Sequence, residues 1–388
     1  MNIFFIILMV FFVSSCGQHR SNEVPLLEAT GVPFFLQNEA GDTAEMSIVY
    51  DFYYDSSVDK LYKVELYNPY MRRIDVDKKQ IIDRLDLSSM FSTPYNYQVY
   101  FHNWDTIITY EAYVNLIHFS DSIGNIYKTI DFNKVKGFEK YDLKADKLTR
   151  IEFKDGKLYL PRYLKNYRGG KVDLDINIYF SYDLKDGSIH SFMRYPEEFY
   201  KIGCYYSGFE KTPNIQEHPK GFVVSFVSPD MHLYDYDGKL LKKKKVKSEH
   251  LGKFKTHPYP DKFTAESEKK QEKFLAEAAF YYEMRYDPFR KLYYRVALPN
   301  NSYVNKDNSL TDFSDRDFYI MVIDTNLNVL DEVLFDGKKY FKHYQLVTKE
   351  GLLVIRKDFI QKRKEPDPIR PYDIKHYELF KVNYGAKN

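Results

Sequence analysis

The sequence predicts an all-β fold, a six-bladed β-propeller whose ring is closed by the N-terminal segment. Three observations predict it. The 388-residue chain contains 37 tyrosines and 30 phenylalanines, and aromatic residues favour strands. A unit of short strands joined by tight turns recurs six times along the chain. The sixth unit stops after its third strand, so the missing fourth strand has to come from elsewhere in the chain.

The N-terminus predicts export and a lipid anchor. The apolar run Ile3–Val13 would span about 16 Å as a helix, too short for a hydrocarbon core of about 30 Å, and it is typical of a signal peptide. Val13-Ser14-Ser15-Cys16 resembles a lipobox, in which the cysteine carries the lipid. The alternative is a secretory signal with a cysteine beside it by chance, since Met1-Asn2 offers no Lys or Arg.

These patterns divide the chain into three parts. We expect residues 1–15 to be a lipoprotein signal peptide, residues 16–24 a tether and residues 25–388 one propeller domain. The lipid on Cys16 would then hold the protein on a bacterial membrane. No acidic cluster follows Cys16, which favours the periplasmic side of the outer membrane.

The closing strand is predicted next. The segment "EVPLLEATGVPFFL" (Glu23–Leu36) is apolar and extended in character but belongs to no unit of its own. We expect it to pair with "HYELFKVNY" near the C-terminus, because an unpaired outer strand invites aggregation.

The six units begin 46 to 70 residues apart, a spacing that fits blades of four short strands. The third strands close in turn segments such as "DVDKKQ", "SDSIGN" and "DLKDGS", which suit tight hairpins. The competing interpretation is two separate β-sandwich domains. The second strands open at Leu61, Ile107, Leu158, Phe222, Leu292 and Leu352.

One short helical insertion is predicted within "FTAESEKKQEKFLAEAA", between the fourth and fifth units. Thr264 can cap it, and Phe274 and Leu275 give it an apolar stripe. It would either cover the tunnel as a lid or pack on the rim as a decoration.

Charged residues recur on the second strands, four positions after the opening residue. Equivalent positions on neighbouring blades lie side by side, so these residues, joined by Arg295, would form a polar ring at one mouth of the tunnel. The alternative is a set of salt bridges between blades. The predicted ligand-binding residues are Glu65, Glu111, Arg162, Arg295 and Arg356.

The single tryptophan, Trp104, follows His102-Asn103 at a strand end. It is predicted either to contact a ligand at the rim or to wedge into the core.

Sequence motifs for catalysis are missing. There is no HExxH, G-x-S-x-G, P-loop or Cys-x-x-Cys. The histidines do not pair at metal-ligand spacing, so we predict no metal, no cofactor and no catalytic residue. Basic and acidic residues nearly cancel, 57 against 55, which does not favour a nucleic-acid partner.

Two segments, "YDPFRKLYYRVALP" and "YIMVIDTNLNVLDEVLF", carry a resemblance to a known group. With the lipobox and the six units, the chain resembles a family of six-bladed β-propeller lipoproteins of Bacteroidota that has no assigned function. The resemblance implies the architecture and an address in the cell envelope, and it transfers no catalytic residue.

Two functional hypotheses follow. The first is a non-catalytic binding or scaffold module for a glycan, peptide or protein partner. The alternative is an envelope hydrolase or lyase at the tunnel mouth, with Glu65 or Glu111 as general base and Arg162, Arg295 or Arg356 binding an anionic group.

Overall fold

The structure is a computed structural model that describes most of the chain. The predicted signal peptide, the predicted lipidation site Cys16 and the predicted tether lie outside the described residues. The described ranges are 26–34, 36–37, 43–44, 50–55, 58–67, 70–86, 97–111, 114–143, 151–164, 177–196, 213–252, 264–304, 308–343, 345–361 and 374–384.

The described strands form six sheets, and together these make the six blades of a propeller ring. The chain starts with β1 (Leu27–Phe34), β2 (Leu36–Gln37) and β3 (Thr43–Ala44). Blade 1 consists of β4 (Tyr50–Asp55), β5 (Lys60–Tyr67), β6 (Tyr70–Asp75) and β7 (Gln80–Asp86). Blade 2 consists of β8 (Tyr97–Asn103), β9 (Thr106–Glu111), β10 (Leu116–Ser120) and β11 (Ile126–Asp131).

The remaining blades repeat this antiparallel order. Blade 3 contains β12 (Tyr141–Leu143), β13 (Glu152–Lys154), β14 (Lys157–Leu164), β15 (Tyr179–Asp183) and β16 (Ile189–Phe192). Blade 4 contains β17 (Asn214–His218), β18 (Gly221–Ser225), β19 (Asp230–Asp235) and β20 (Leu240–Lys245). Blade 5 contains β21 (Phe280–Asp287), β22 (Leu292–Leu298), β23 (Phe318–Asp324) and β24 (Val329–Phe335). Blade 6 contains β25 (Leu346–Val347), β26 (Gly351–Gln361), β27 (Ile374–Val382) and, from the other end of the chain, β1.

Burial places the fourth strand of each blade at the rim. β11 and β20 are mostly exposed, whereas β18 and β22 are buried along their whole length. The first strand therefore lies nearest the axis. In blade 3 this inner strand is split, since both β12 and β13 pair with β14.

The predicted closure of the ring is confirmed. β1 runs antiparallel to β27, with Leu27 opposite Val382 and Phe34 opposite Tyr377. The register shifts between Ala29 and Pro33. The chain then reaches blade 1, where β2 pairs in parallel with β7 at a single position. The N-terminal segment therefore connects blade 6 to blade 1.

Apolar packing holds the ring together at every junction. Successive side chains of a strand point to opposite faces of its sheet, and each face packs against a different neighbouring blade. On β22, Tyr293 therefore faces blade 4 and Tyr294 faces blade 6. Among the described residues, six buried clusters correspond to the six junctions, which excludes two separate sandwiches. Examples are Met71 with Ile107 (blades 1 and 2), Phe119 with Leu158 (2 and 3), Tyr179 with Phe222 (3 and 4), Met231 with Tyr293 (4 and 5), Tyr294 with Leu352 (5 and 6), and Leu353 with Ile74 (6 and 1).

The predicted turns between third and fourth strands share one hydrogen-bond pattern. An aspartate ends the third strand or directly follows it, and its carboxylate accepts a hydrogen bond from a backbone N–H of the turn. At Asp121, for example, Oδ1 accepts from Asn125 N at 2.9 Å. The same hydrogen-bond pattern occurs at Asp75, Asp183, Asp235 and Asp324.

The predicted helix is α1 (Ala265–Glu277), with Thr264 as its N-cap. Phe274 and Leu275 pack against the cluster between blades 5 and 6. Arg316, from the loop between β22 and β23, donates to Ala278 O at 2.8 Å and also to Leu275 O. These contacts attach the helix to the loop between β22 and β23 of blade 5. Within the described part of the chain, no helix combines the length and apolar character needed to span a membrane.

Candidate functional site

The predicted ring residues lie on the second strands, one strand away from the axis. Glu65 is on β5, opposite Tyr50 and Arg72 in the ladders. Glu111 ends β9 and is buried, with Oε1 3.8 Å from Nε2 of His118 in the same blade. Burial lowers the pKa of His118, and the Glu111 carboxylate partly opposes that shift.

Arg295 is fully buried at the junction of blades 4 and 5. Its guanidinium donates to three backbone carbonyls of blade 4, and it lies 3.9 Å above the ring of Tyr281. The three acceptors are Phe226 O at 2.7 Å, Ser228 O at 2.7 Å and Val246 O at 3.2 Å. Burial lowers the pKa of Arg295, but arginine stays charged. This side chain therefore connects two blades, through carbonyls instead of the salt bridges that the sequence suggested.

Arg162 and Arg356 are also held by groups of their own blades. Arg162 Nε donates to Asn177 O at 3.0 Å, and its guanidinium stacks on Tyr141 at 3.7 Å. Arg356 binds Glu378 Oε2 at 2.8 Å. These contacts give each arginine a local structural partner. The ligand-binding role assigned to the set from sequence stays a prediction.

Several polar groups nearest the axis lie on first strands, where the charge pattern of the second strands does not predict them. On the first strands, Tyr100 OH donates to Glu152 Oε1 at 2.8 Å between blades 2 and 3. Gln216 accepts from Tyr286 N at 3.3 Å between blades 4 and 5. Glu283 is fully buried beside Arg285. A charged residue inside an aromatic-rich strand, such as Glu283 in "FYYEMRYD", was the available signal.

Trp104 lies in the turn between β8 and β9 and packs between blades 1 and 2. The edges of Phe101 and Tyr62 meet its ring, with centroids 4.8 and 5.4 Å away. Arg73 covers one face, with its guanidinium carbon 3.9 Å from the ring centroid. Trp104 therefore wedges between the blades and also borders a surface groove, and its contact with a ligand stays a prediction.

This groove, called here the blade 1–2 groove, has a volume of about 300 Å³. Its floor is Trp104, Met71 and Ile107, and its two walls come from β7 and from the turn between β10 and β11. Arg73 Nε donates to Asp83 Oδ1 at 2.6 Å across one side. The lining residues are Met71, Arg73, Asp83, Arg84, Leu85, Trp104, Ile107, Ser122 and Ile123.

Two exposed apolar side chains lie at the blade 1–2 groove. Ile123 lines it and is 73% exposed, and Ile126, 41% exposed, is on the same side of blade 2, opposite Ser120 in the ladder. Scattered exposed apolar residues need no explanation, but a cluster beside a groove is typical of an interaction site. This combination makes the groove the best candidate site among the described residues.

Two other features are less specific. A second groove of about 530 Å³ runs along β1 and includes Lys79, Glu350 and Lys381. For metals, the ranges that the structure describes contain no group of three or more His, Cys, Asp or Glu side chains arranged as ligands.

Comparison with known proteins places these features in context. A family model described as a domain of unknown function, DUF4221, matches residues 43–334. No curated protein matches the sequence. A solved DUF4221 member from Bacteroides vulgatus aligns with a TM-score of 0.68 at 18% identity, covering 92% of this chain and 97% of that chain. A solved Bacteroides fragilis protein aligns with a TM-score of 0.51 at 8% identity, covering 93% and 97%. At these identities the structural similarity establishes the fold.

Proposed function

The chain belongs to the DUF4221 family, and on that premise we propose that it is a non-catalytic binding or scaffold module tethered to the bacterial cell envelope. Its partner would be a glycan, a peptide or another envelope protein. A propeller suits this role because a rigid ring presents many loops and blade edges on a single body.

Membrane attachment through lipid on Cys16 is part of the proposal. The apolar run that ends three residues before this cysteine supports it, and several acyl chains would hold the protein without a spanning helix. We propose the periplasmic side of the outer membrane as its location. Cys16→Ala should move the protein from the membrane fraction to the soluble fraction and abolish incorporation of labelled palmitate. Unchanged fractionation would contradict the anchor.

The observation that carries the binding role is the blade 1–2 groove with its apolar surroundings. Arg84, on one wall, is exposed and makes no hydrogen bond or ion pair with any described residue. An available cation beside an apolar floor can orient a ligand and also exclude water from it. By contrast, Arg162 and Arg295 use donors on backbone carbonyls, which argues against a role in holding an anionic substrate.

The test is a glycan and peptide array probed with the purified chain, followed by variants of the groove. Ile123→Ala and Arg84→Ala should each weaken a true ligand at least tenfold. Leu334→Ala is the matched control, since Leu334 is an exposed apolar residue on the outer strand of blade 5, 56% exposed. Ligands that bind all three variants equally would place the binding site elsewhere and overturn the proposal.

A further inference from the structure

We propose that the partner of the blade 1–2 groove is an extended acidic peptide segment of another protein, which adds a strand to the outer edge of blade 2. This inference rests on the proposed binding function and specifies its ligand. One apolar side chain of the peptide would enter the groove while its backbone pairs with β11.

The outer edge of β11 is available for pairing. β11 pairs with β10, and no other described strand lies along its far side. An unpaired edge presents backbone N–H and C=O groups that an added strand can satisfy. With six residues, β11 is long enough for several such bonds.

The other rim strands are better protected. β1 contains Pro33 and a register shift, β7 is paired with β2, and β16 has only four residues. β20 carries four consecutive lysines. On β24, Asp331 accepts from Leu26 N at 2.7 Å, and Glu332 accepts from Glu249 N at 2.8 Å, so neighbouring segments contact this strand. Among the described outer strands, β11 of blade 2 therefore has the edge most available for pairing with another strand.

The apolar residues on this edge fit alternate side chains of a peptide. Ile126 lies opposite Ser120, and Ser120 lies opposite Ile107 on the floor of the groove. Residues in register on adjacent strands share a face, so an added strand would point every second side chain toward blade 1. A volume of about 300 Å³ is at the lower limit of small-molecule pockets and suits one large side chain.

Charge determines the kind of peptide. Asp83 is paired with Arg73, and the Asp121 carboxylate accepts backbone N–H groups of its own turn. Arg84 and Lys128 are exposed, and neither forms an ion pair with a described residue. The available charges at the edge are therefore positive, and acidic side chains complement them.

The experiment pans a displayed library of random decapeptides against the full chain and measures synthetic copies of the enriched peptides by fluorescence polarisation. We expect acidic residues alternating with apolar ones. N-methylation of every second peptide amide should weaken binding at least tenfold when the methylated amides are those that face β11. Methylation of the other set of amides should have little effect. Charge reversal by Arg84→Glu with Lys128→Glu should also weaken it at least tenfold. Lys243→Glu, on the exposed edge of β20, is the matched control.

The outcomes separate this inference from the proposed function. Enriched peptides without acidic residues, or N-methylation effects without alternation, would overturn the inference and leave a binding groove. If no peptide is enriched and a glycan binds that Ile123→Ala weakens, the inference is also overturned and the binding groove remains. If neither array nor library yields a ligand sensitive to Ile123→Ala or Arg84→Ala, both the inference and the proposed function fail.

Discussion

Replacing Arg295 with methionine tests whether this side chain fixes the junction of blades 4 and 5. Methionine has a similar length and no charge, so it leaves three carbonyl acceptors without their donor. Each unsatisfied acceptor costs about 1 kcal/mol, and the lost stacking on Tyr281 costs about 1 kcal/mol more. Relief from burying a charge recovers part of this sum. We expect the free energy of unfolding to fall by about 3 kcal/mol.

Urea denaturation is the assay, with circular dichroism and tryptophan fluorescence followed together. The single tryptophan lies between blades 1 and 2, so coincidence of the two signals tests whether the ring unfolds as one unit. Arg194→Met is the matched control, because Arg194 is exposed and donates one hydrogen bond, to Asn177 Oδ1 at 3.2 Å. Arg194→Met should lower the free energy of unfolding by less than about 1 kcal/mol. Equal losses in the two variants would refute a locking role for Arg295.

Three further predictions concern closure, a turn and pH. Phe34→Ala should lower the free energy of unfolding by about 3 kcal/mol in the same urea assay, because Phe34 is buried where β1 meets blade 1; Val32→Ala, 53% exposed, is its control, and an equal effect would contradict the packing. Gly238→Ala should lower the melting temperature more than Gly137→Ala. Both glycines have positive φ, 80° and 88°, but a Cβ on Gly238 would lie 2.7 Å from Phe192 Cγ, whereas one on Gly137 would contact nothing. Burial raises the pKa of Asp75, but the Lys78 N–H and the Lys60 ammonium outweigh it and hold that pKa below its usual value. A depressed pKa in the folded state adds stability above the unfolded pKa of about 4, and this is lost as pH falls further. The stability of Asp75→Asn should therefore fall less on acidification than that of the unaltered protein, and parallel curves would contradict this.

The propeller fold could be predicted because the sequence patterns that indicate its strands and turns are local. Aspartate turns such as those at Asp121 and Asp235 lie within a few residues of the strands that they join, and the missing fourth strand of blade 6 follows from counting. The site was less predictable. The acceptors of Arg295 are backbone carbonyls 49 to 69 residues away, and no residue type marks them. The inner strands share no common length, since β25 has two residues and the inner strand of blade 3 is split in two, so no sequence pattern repeats along them. The blade 1–2 groove exists only once two blades are side by side.

The pairing of β1 with β27 has a consequence for biosynthesis. Thr30 Oγ1 donates to Leu379 O at 2.9 Å, a contact between residues 349 positions apart. β27 is synthesised after every other described strand, so blade 6 stays incomplete until β27 has been made. A chain that emerges from the ribosome or a translocation pore in order would therefore carry five blades in an open arc. Residues 346–382 convert that arc into a closed circle, and a premature stop within them would leave the first strand without its neighbour.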